Sequence, residues 1–483
     1  MRPTLQLLDR ELLDRIVGEA FALLMQTGIR VQGSLAKDLL AAHGASIDGD
    51  VARIPEPMIR QALATVPRTF SLYDRDGNAA VEYGGNTTHF DPGSSCVHVL
   101  DPETLQHRES RAADLVRLVQ VAELLPAYAA QSTAVVCADV PRGIGDLYRL
   151  FLVLWYSNKP VITGAFSGVT TQRMIDLLAA DAGSVEALRA KPRAIFDVCP
   201  SAPLHWTDFA GENLVQLARA GVPAEIISVP LAGATAPVTL AGAVVQHAAE
   251  VLTGIAIHQI AAPGAPVVWG GAPAIFDMRS GNTPMGAIET AMLDAACSQV
   301  GKSLGVPTHG YLCGSDAKIV DAQSGVETGM AALVGVLAGI NMVSGAGMLD
   351  FLACHSAEKL VIDAEAIGMA QRFGRGIAGR EGSLAVEMFA KTGLAGEFLK
   401  LRETRALFKE EQFLPSPVTD RGSLHSWEQA GALDSFARAR AQVRTLVEQY
   451  RRPALGDARE RALRAIMERE AATVGLTTLP GIA

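Results

Sequence analysis

Between Pro263 and Asp350 the chain passes through three short apolar stretches, PGAPVVWGGA, GVPTHGYLCGSDAK and GINMVSGAGMLDF, separated by two longer amphipathic segments. Each stretch follows a Gly or Pro and stops in small, polar or aromatic residues. Such runs are too short for helices and too rich in Val and Ile for loops, so they read as buried parallel strands. In the intervening segments, 286–304 and 321–337, Ala, Leu, Val and Met recur at i, i+3 and i+4, the spacing of helices packed on a sheet. Strand, helix, strand, helix, strand is the unit of an α/β domain.

The alternation extends back to residue 87. Strands over 87–90, 130–137, 160–166, 194–198 and 225–229 are each followed by a helix, over 112–125, 144–156, 171–180, 208–220 and 240–261. The last strand feeds a helix over 356–373. Eight strand–helix units in roughly 300 residues predict a (β/α)8 TIM barrel. The count of eight weighs against a doubly wound open sheet. Gly-Val-Pro and Pro-Gly-Ala-Pro breaks at 221–223, 263–266 and 305–307 match short αβ loops.

The barrel is expected to occupy 86–380. Ahead of it, 1–85 reads as an N-terminal extension of three helices, the first ended by Gly28, and a hairpin over 70–74 and 79–83 about a DGN turn. Behind it, 381–483 reads as a C-terminal helical segment, with helices over 433–450 and 457–472, that has the look of a docking or self-association surface.

Composition narrows the function classes. The net charge of −9 and the lack of a basic run argue against nucleic acid. The apolar run near 239–263 is broken by His247, Glu250 and His258, so it does not read as an independent membrane span. The charged start MRPTLQLLDRELLDR lacks the apolar centre of a signal peptide, so a cytoplasmic protein is expected. Six scattered cysteines are not a disulfide framework.

In a barrel the chemistry sits at the C-terminal strand ends. Read off in order, these offer His89, Phe90 and Asp91, then Phe166, His205 and Trp206, then Trp269, Phe276 and Asp277. The last two strands add His309, Tyr311, Asp316 and Lys318, then Asp350, Phe351 and His355. Aromatic residues are only 5% of the chain, so this is a concentration, although any single Phe is better explained by core filling. Aromatic faces beside carboxylates suit a quaternary ammonium, which donates no hydrogen bond and is held by cation–π contacts and a diffuse negative field. Trp206, Trp269, Phe90 or Tyr311 near Asp316 or Glu289 would form such a pocket. A zinc site drawn from the scattered Cys and His residues competes with it, but no C-x-x-C, H-x-H or H-E-x-x-H occurs.

The sequence also resembles a known family, the trimethylamine methyltransferase superfamily of corrinoid-dependent methyltransferases. The resemblance rests on SVPLAGATAPVTLAGAVVQ at 228–246, PGAPVVWG at 263–270, SDAKIVDAQ at 315–323, GINMVSGAGM at 339–348 and EKLVIDAEAIG at 358–368. It extends to RIPEPMIRQALATVPRTFSLYDRDG in the N-terminal segment and to the late WEQAG, and so covers nearly the whole chain. It implies a (β/α)8 barrel that passes a methyl group from an amine to the Co(I) centre of a separate corrinoid-binding protein, with no cofactor held tightly by the barrel itself. Founding members act on trimethylamine and carry pyrrolysine. This chain shows only standard residues, which implies the branch acting on quaternary amines such as glycine betaine.

On that reading Phe90, Trp206, Trp269 and Tyr311 are expected to contact the ammonium, and Asp316 or Glu289 to balance its charge. His309, His355 or Arg279 would receive a carboxylate. Asp316, Tyr311 and Glu289 are the expected catalytic groups, with the end of the seventh strand standing at the pyrrolysine position. A homo-oligomer is expected from the helical tail. A metal-dependent barrel lyase or aldolase, or a betaine-binding subunit without turnover, are the alternatives.

Overall fold

Strand and helix alternate through the centre of the chain. The strands are β1 (His89–Pro92), β2 (Gln131–Ser132), β3 (Val161–Thr163), β4 (Ala194–Val198), β5 (Ala224–Ser228), β6 (Val267–Gly271), β7 (His309–Tyr311) and β8 (Met342–Ala346). Their helices are α1 (Ala112–Leu124), α2 (Gly145–Tyr156), α3 (Gly168–Ala182), α4 (Asp208–Ala220), α5 (Leu240–Ala261), α6 (Ile288–Ser303), α7 (Ala322–Ala338) and α8 (Ala357–Gly374). The structure is a computed structural model and describes residues 3–482.

The strands lie in two parallel sheets, one in the order β6-β5-β4-β3-β2 and the other β7-β8-β1. Backbone hydrogen bonds join the sheets at both pairs of edges. At one, Trp269 N on β6 donates to Pro307 O at 2.8 Å, ahead of β7. At the other, Ala129 N donates to Phe90 O of β1 at 2.9 Å, and Ser95 N to Thr133 O at 3.2 Å. The fold class is therefore α/β with parallel strands.

Local chemistry explains the joints. Thr207 and Thr239 cap α4 and α5 by accepting from Ala210 N and Gly242 N, satisfying donors that the helix leaves free. α4 ends at Gly221 in the left-handed conformation (φ 71°), and Pro223 then launches β5.

Successive side chains on a strand point to opposite faces. On the inner face, Ile162 of β3, Ile195 of β4, Val268 of β6 and Met342 of β8 pack with Leu72, Val81 and Tyr83. Those three belong to the hairpin Phe70–Tyr73 and Ala79–Tyr83, which thereby plugs the space between the strands. On the outer face lie the helices. α5 is the longest of them, packed among α4, α6 and the N-terminal helices Arg10–Gln26 and Glu56–Thr65. It is long and apolar enough by composition to cross a membrane, yet 83% of its most apolar window is buried within this fold.

The N-terminal segment differs from expectation, while the two C-terminal helices lie where they are expected. The N-terminal segment also carries short strands Ile29–Val31, Ser46–Asp48 and Val51–Arg53, and Ile29–Val31 pairs in parallel with His205–Trp206. In the C-terminal segment, helices Ser435–Gln449 and Asp457–Thr473 pack on α8, α1, α2 and α3. Helices Val386–Thr392, Arg402–Glu411 and Leu424–Gln429 bury no residue at all.

Candidate active site

A cavity of about 420 Å³ lies at the C-terminal ends of β3 to β7. Its walls are mostly apolar, from Ile227, Val229, Phe209, Met285 and Leu352, with Phe166 beside them and the polar groups Asp197 and Tyr311 on β4 and β7. That volume and mixture suit a small organic ligand with one or two polar anchors.

The Tyr311 hydroxyl donates to Asp197 at 3.4 Å. Burial drives the Asp197 carboxyl up to about 7, against hydrogen bonds from Glu225 and Tyr311 that favour its ionised form. Glu225, one strand along and in register with Asp197, is pushed further up, by burial first and then by the Asp197 charge. Burial therefore favours a proton shared by this pair. Tyr83, rising from the plugging hairpin, donates to Glu225.

Below them a buried chain continues. Ser344 on β8 hydrogen-bonds both Asp91 on β1 and His309 Nε2, the latter 2.8 Å away. The other ring nitrogen of His309, Nδ1, faces Glu225 Oε2 at 3.5 Å. Burial lowers His309 to about 3, so it is neutral. Its ring meets Tyr311 edge-on at 5.2 Å and holds the phenol in place. Gly270 on β6 leaves room for its neighbours on β5, since a Cβ there would sit 2.5 Å from Ile227 Cδ1 and 2.9 Å from Ile226 O.

Of the residues the sequence nominated, the structure brings Tyr311 to the cavity, together with the strand-end Phe166. The others lie elsewhere, each for a physical reason. Trp206 is fully buried outside the sheet, its Nε1 donating to Glu250 O at 3.2 Å and its ring against Gly254 of α5 and Ile226. Trp269 alternates with the inward Val268 and so faces α6, where Gly301 leaves room for its indole. Phe90 alternates with the inward Asp91 and is buried on the helical side. The indole cage is therefore absent.

Asp316 accepts from Met285 N at 2.8 Å and Gly286 N at 3.1 Å, so it fixes the loop that carries Met285 to the cavity. Glu289 stands in the first turn of α6, where a negative charge complements the helix dipole. His309 and His355 are both buried, and His355 too is lowered to about 3 by burial, so neither offers a cation to a carboxylate. Arg279 is an exposed loop residue paired with Asp277 at 3.0 Å. Lys318 pairs with Asp350 at 3.2 Å and also donates to the Asp316 backbone oxygen, and its ammonium lies 3.8 Å over the Phe351 ring. That contact pins three successive left-handed residues, Asp350, Phe351 and Leu352, the last of which reaches the cavity. Among the described residues no three His, Cys, Asp or Glu side chains gather as a metal's ligands.

Sequence reasoning passed over Asp197 and Glu225. A signal existed, since each is the lone charge in an apolar strand (AIFDVCP and AEIISVP), and an unpaired carboxylate is not buried without cause.

Comparison with known proteins agrees with this architecture. The solved monomethylamine methyltransferase MtmB of Methanosarcina barkeri superposes with a TM-score of 0.50 over 91% of this chain and 88% of its own, at 12% identity. Trimethylamine methyltransferase MttB of Methanosarcina thermophila is 32% identical over 450 residues, 91% of this chain and 92% of its own. The glycine betaine methyltransferase of Desulfitobacterium hafniense strain Y51 is 27% identical over 475 residues, 98% of both chains. The family profile described as trimethylamine methyltransferase (MTTB) matches residues 1–475, and this chain belongs to that family of methyltransferases.

Proposed function

We propose that this protein transfers a methyl group from a quaternary amine carrying a carboxylate, glycine betaine or a related betaine, to the Co(I) centre of a corrinoid borne by a partner protein. We also infer that its eight parallel strands close into a (β/α)8 barrel, through the hydrogen bonds at both pairs of sheet edges. The observation that carries the functional reading is the Asp197–Tyr311 pair at an otherwise apolar cavity at the strand ends. Family membership supports methyl transfer, and the relative named glycine betaine methyltransferase supports a betaine.

A quaternary ammonium already carries its positive charge, so no general acid is required. One N–CH3 bond breaks with its electron pair left on nitrogen, which departs as a neutral tertiary amine, while the methyl carbon takes a pair from Co(I). What remains for the chain is to hold that bond in line in a dry pocket. Tyr311 and Phe166 present π-faces to the cation, and ionised Asp197 balances its charge. Met285, set by Asp316, and Leu352 exclude water. The corrinoid arrives as a substrate on its own protein, so the chain needs no resident site for it.

Self-association belongs to the same reading. Ile377, Leu384, Leu394 and Leu399 stand 96, 73, 102 and 84% exposed on a segment with no core of its own. An apolar groove between α7 and α8, lined by Leu333, Ile362, Met369 and Phe373, is carried by the same chain. A second copy supplies both halves.

The test is to incubate the purified protein with Co(I)-cobalamin and glycine betaine or its homologues. Dimethylglycine, or the corresponding tertiary amine, should appear as the cobalamin spectrum shifts to the methylated form. No demethylated product from any quaternary amine would end the proposal.

A further inference from the structure

α2 carries one arginine in an otherwise apolar run, DLYRLFLVLWY, and the helix is buried over every residue from Asp146 to Tyr156. Arg149 is fully buried. Its Nη1 donates to Ser95 Oγ at 2.9 Å and to Thr133 O at 3.1 Å. The N–H on Nε and the two on Nη2 have no partner. Among the described residues no carboxylate forms an ion pair with it. The acid one turn earlier, Asp146, is already taken up by Phe166 N and Thr170 Oγ1, both at 2.6 Å.

A guanidinium stays charged in a protein interior, and buried charges are normally paired and hydrogen-bonded. The unsatisfied atoms of Arg149 are moreover the Nε–Nη2 edge, whose two parallel N–H groups match the two oxygens of a carboxylate. Its surroundings point to where that carboxylate comes from. Ser95, which holds Nη1, lines the cavity that Asp197 and Tyr311 line. Phe166 also lines it, with its ring 4.7 Å from the Arg149 guanidinium carbon. Ser95 is held at φ 65°, a left-handed conformation that a residue with a side chain adopts at some cost, and that backbone directs its hydroxyl onto the arginine.

We infer that Arg149, steadied by Ser95, receives the carboxylate of the substrate, so that the cavity selects amines bearing both a fixed positive and a fixed negative charge. The inference rests on the quaternary-amine reading above and adds to it the group that specifies a zwitterion. Asp197 and Tyr311 take the cationic end, and Arg149 takes the anionic one. His309, His355 and Arg279 have no part in it, the first two being neutral and the third outside the cavity.

Calorimetric titration of the full-length protein tests this with glycine betaine and its homologues bearing one or two further methylenes. The comparison ligands are glycine betaine methyl ester, choline and tetramethylammonium, which keep the cation and lack the carboxylate. The wild-type protein should bind at least one free acid more tightly than the methyl ester by about tenfold or more. Arg149→Met should weaken that acid on the order of 100-fold and leave the ester within about threefold, and Arg149→Lys should restore part of the loss. Equal binding of acid and ester by the wild-type protein overturns the assignment while leaving the quaternary-amine reading intact, and needs no variant to fold. A folded Arg149→Met protein that keeps its preference for the acid overturns it as well. Should no quaternary amine of either kind bind, the functional reading falls and this inference falls with it.

Discussion

Tyr311 and Asp197 face each other across 3.4 Å on strands from opposite sides of the cavity, phenol to carboxylate. The hydroxyl has one proton, and giving it to Asp197 keeps the carboxylate oriented while the ring stays free to meet a cation. Replacing Asp197 by Asn keeps shape and hydrogen bonding but removes the counter-charge. We expect Asp197→Asn to lower kcat/KM for a quaternary amine on the order of 100-fold, about 3 kcal/mol. Its Tm should hold or rise, because an ionisable group leaves an apolar interior. Tyr311→Phe, which keeps the ring, should cost only about tenfold. Steady-state demethylation assays decide, and an Asp197→Asn enzyme within twofold of the wild type would remove the carboxylate from the mechanism.

The same carboxyl sets a pH dependence. Its folded value is raised by burial from 3.8 to about 7, so the native protein without ligand holds a proton that the unfolded chain has released over that window. The stability this gives is fully present below 3.8 and is lost as pH rises through about 7. Binding of a permanent cation runs the other way, since it favours the ionised form. Affinity should therefore climb by up to about tenfold per pH unit below 7 and level off above it. Titrating a non-reactive quaternary amine from pH 5.5 to 8.5 measures this. Asp197→Asn should flatten the curve. Affinity that falls with rising pH would contradict the assignment.

How much of this could be read from the sequence depends on whether a residue's partners lie along the chain or across it. α4 and α5 lie at the residues that the apolar spacing indicates, because caps and left-handed glycines are local signals. The spacing predicts β2 over 130–137, but it pairs with β3 only at Gln131–Ser132 and through Thr133 N to Ile162 O, because from the Thr133 carbonyl onward the backbone bonds to the Ser95–Cys96 segment instead. Ile29–Val31 is three residues long, too short for any period to show. The cage failed for a related reason. β6 reads VVWGG, apolar on both faces, so alternation along it carries no phase that tells inside from outside. The carboxylates of β4 and β5 would have supplied that phase, since Asp197 and Glu225 are register partners and share the inner face. Arg149 was hidden differently. An arginine on an apolar helix reads as a side chain reaching for water, and only the packing of α2 shows that it has none.

The two indoles make a structural prediction. A Cβ on Gly254 would lie 2.5 Å from Trp206, and one on Gly301 would lie 2.5 Å from Trp269. Gly254→Ala and Gly301→Ala should each destabilise by about 1–3 kcal/mol through overpacking, despite the better helix propensity of Ala. Thermal unfolding reads this directly. KM of the protein that remains folded should not move, because neither indole reaches the cavity. A changed KM with an unchanged Tm would restore the indoles to the site.

Metal removal separates methyl transfer from the lyase alternative. Among the described residues no three His, Cys, Asp or Glu side chains gather as a metal's ligands, so the scattered cysteines are not set to hold zinc. Dialysis against a chelator should leave both fold and demethylation unchanged. Stoichiometric zinc that survives purification and whose loss abolishes turnover would reverse the reading.

The exposed arm gives the last prediction. Leu394 and Leu399 are almost wholly solvent-facing in a single chain, so polar substitution there removes no packing within it. Leu394→Ser with Leu399→Ser should therefore leave the Tm of the dilute, dissociated protein within about 0.5 kcal/mol of the wild type in stability. In a two-copy assembly the same side chains are buried, at about 1.5–3 kcal/mol each. The double variant should thus shift the association constant by a factor on the order of 100 or more, seen by sedimentation equilibrium as a concentration-dependent fall toward the monomer mass. A wild-type protein that already sediments as a monomer at micromolar concentration, or a double variant that associates as strongly as the wild type, would show that the arm is not the contact between copies.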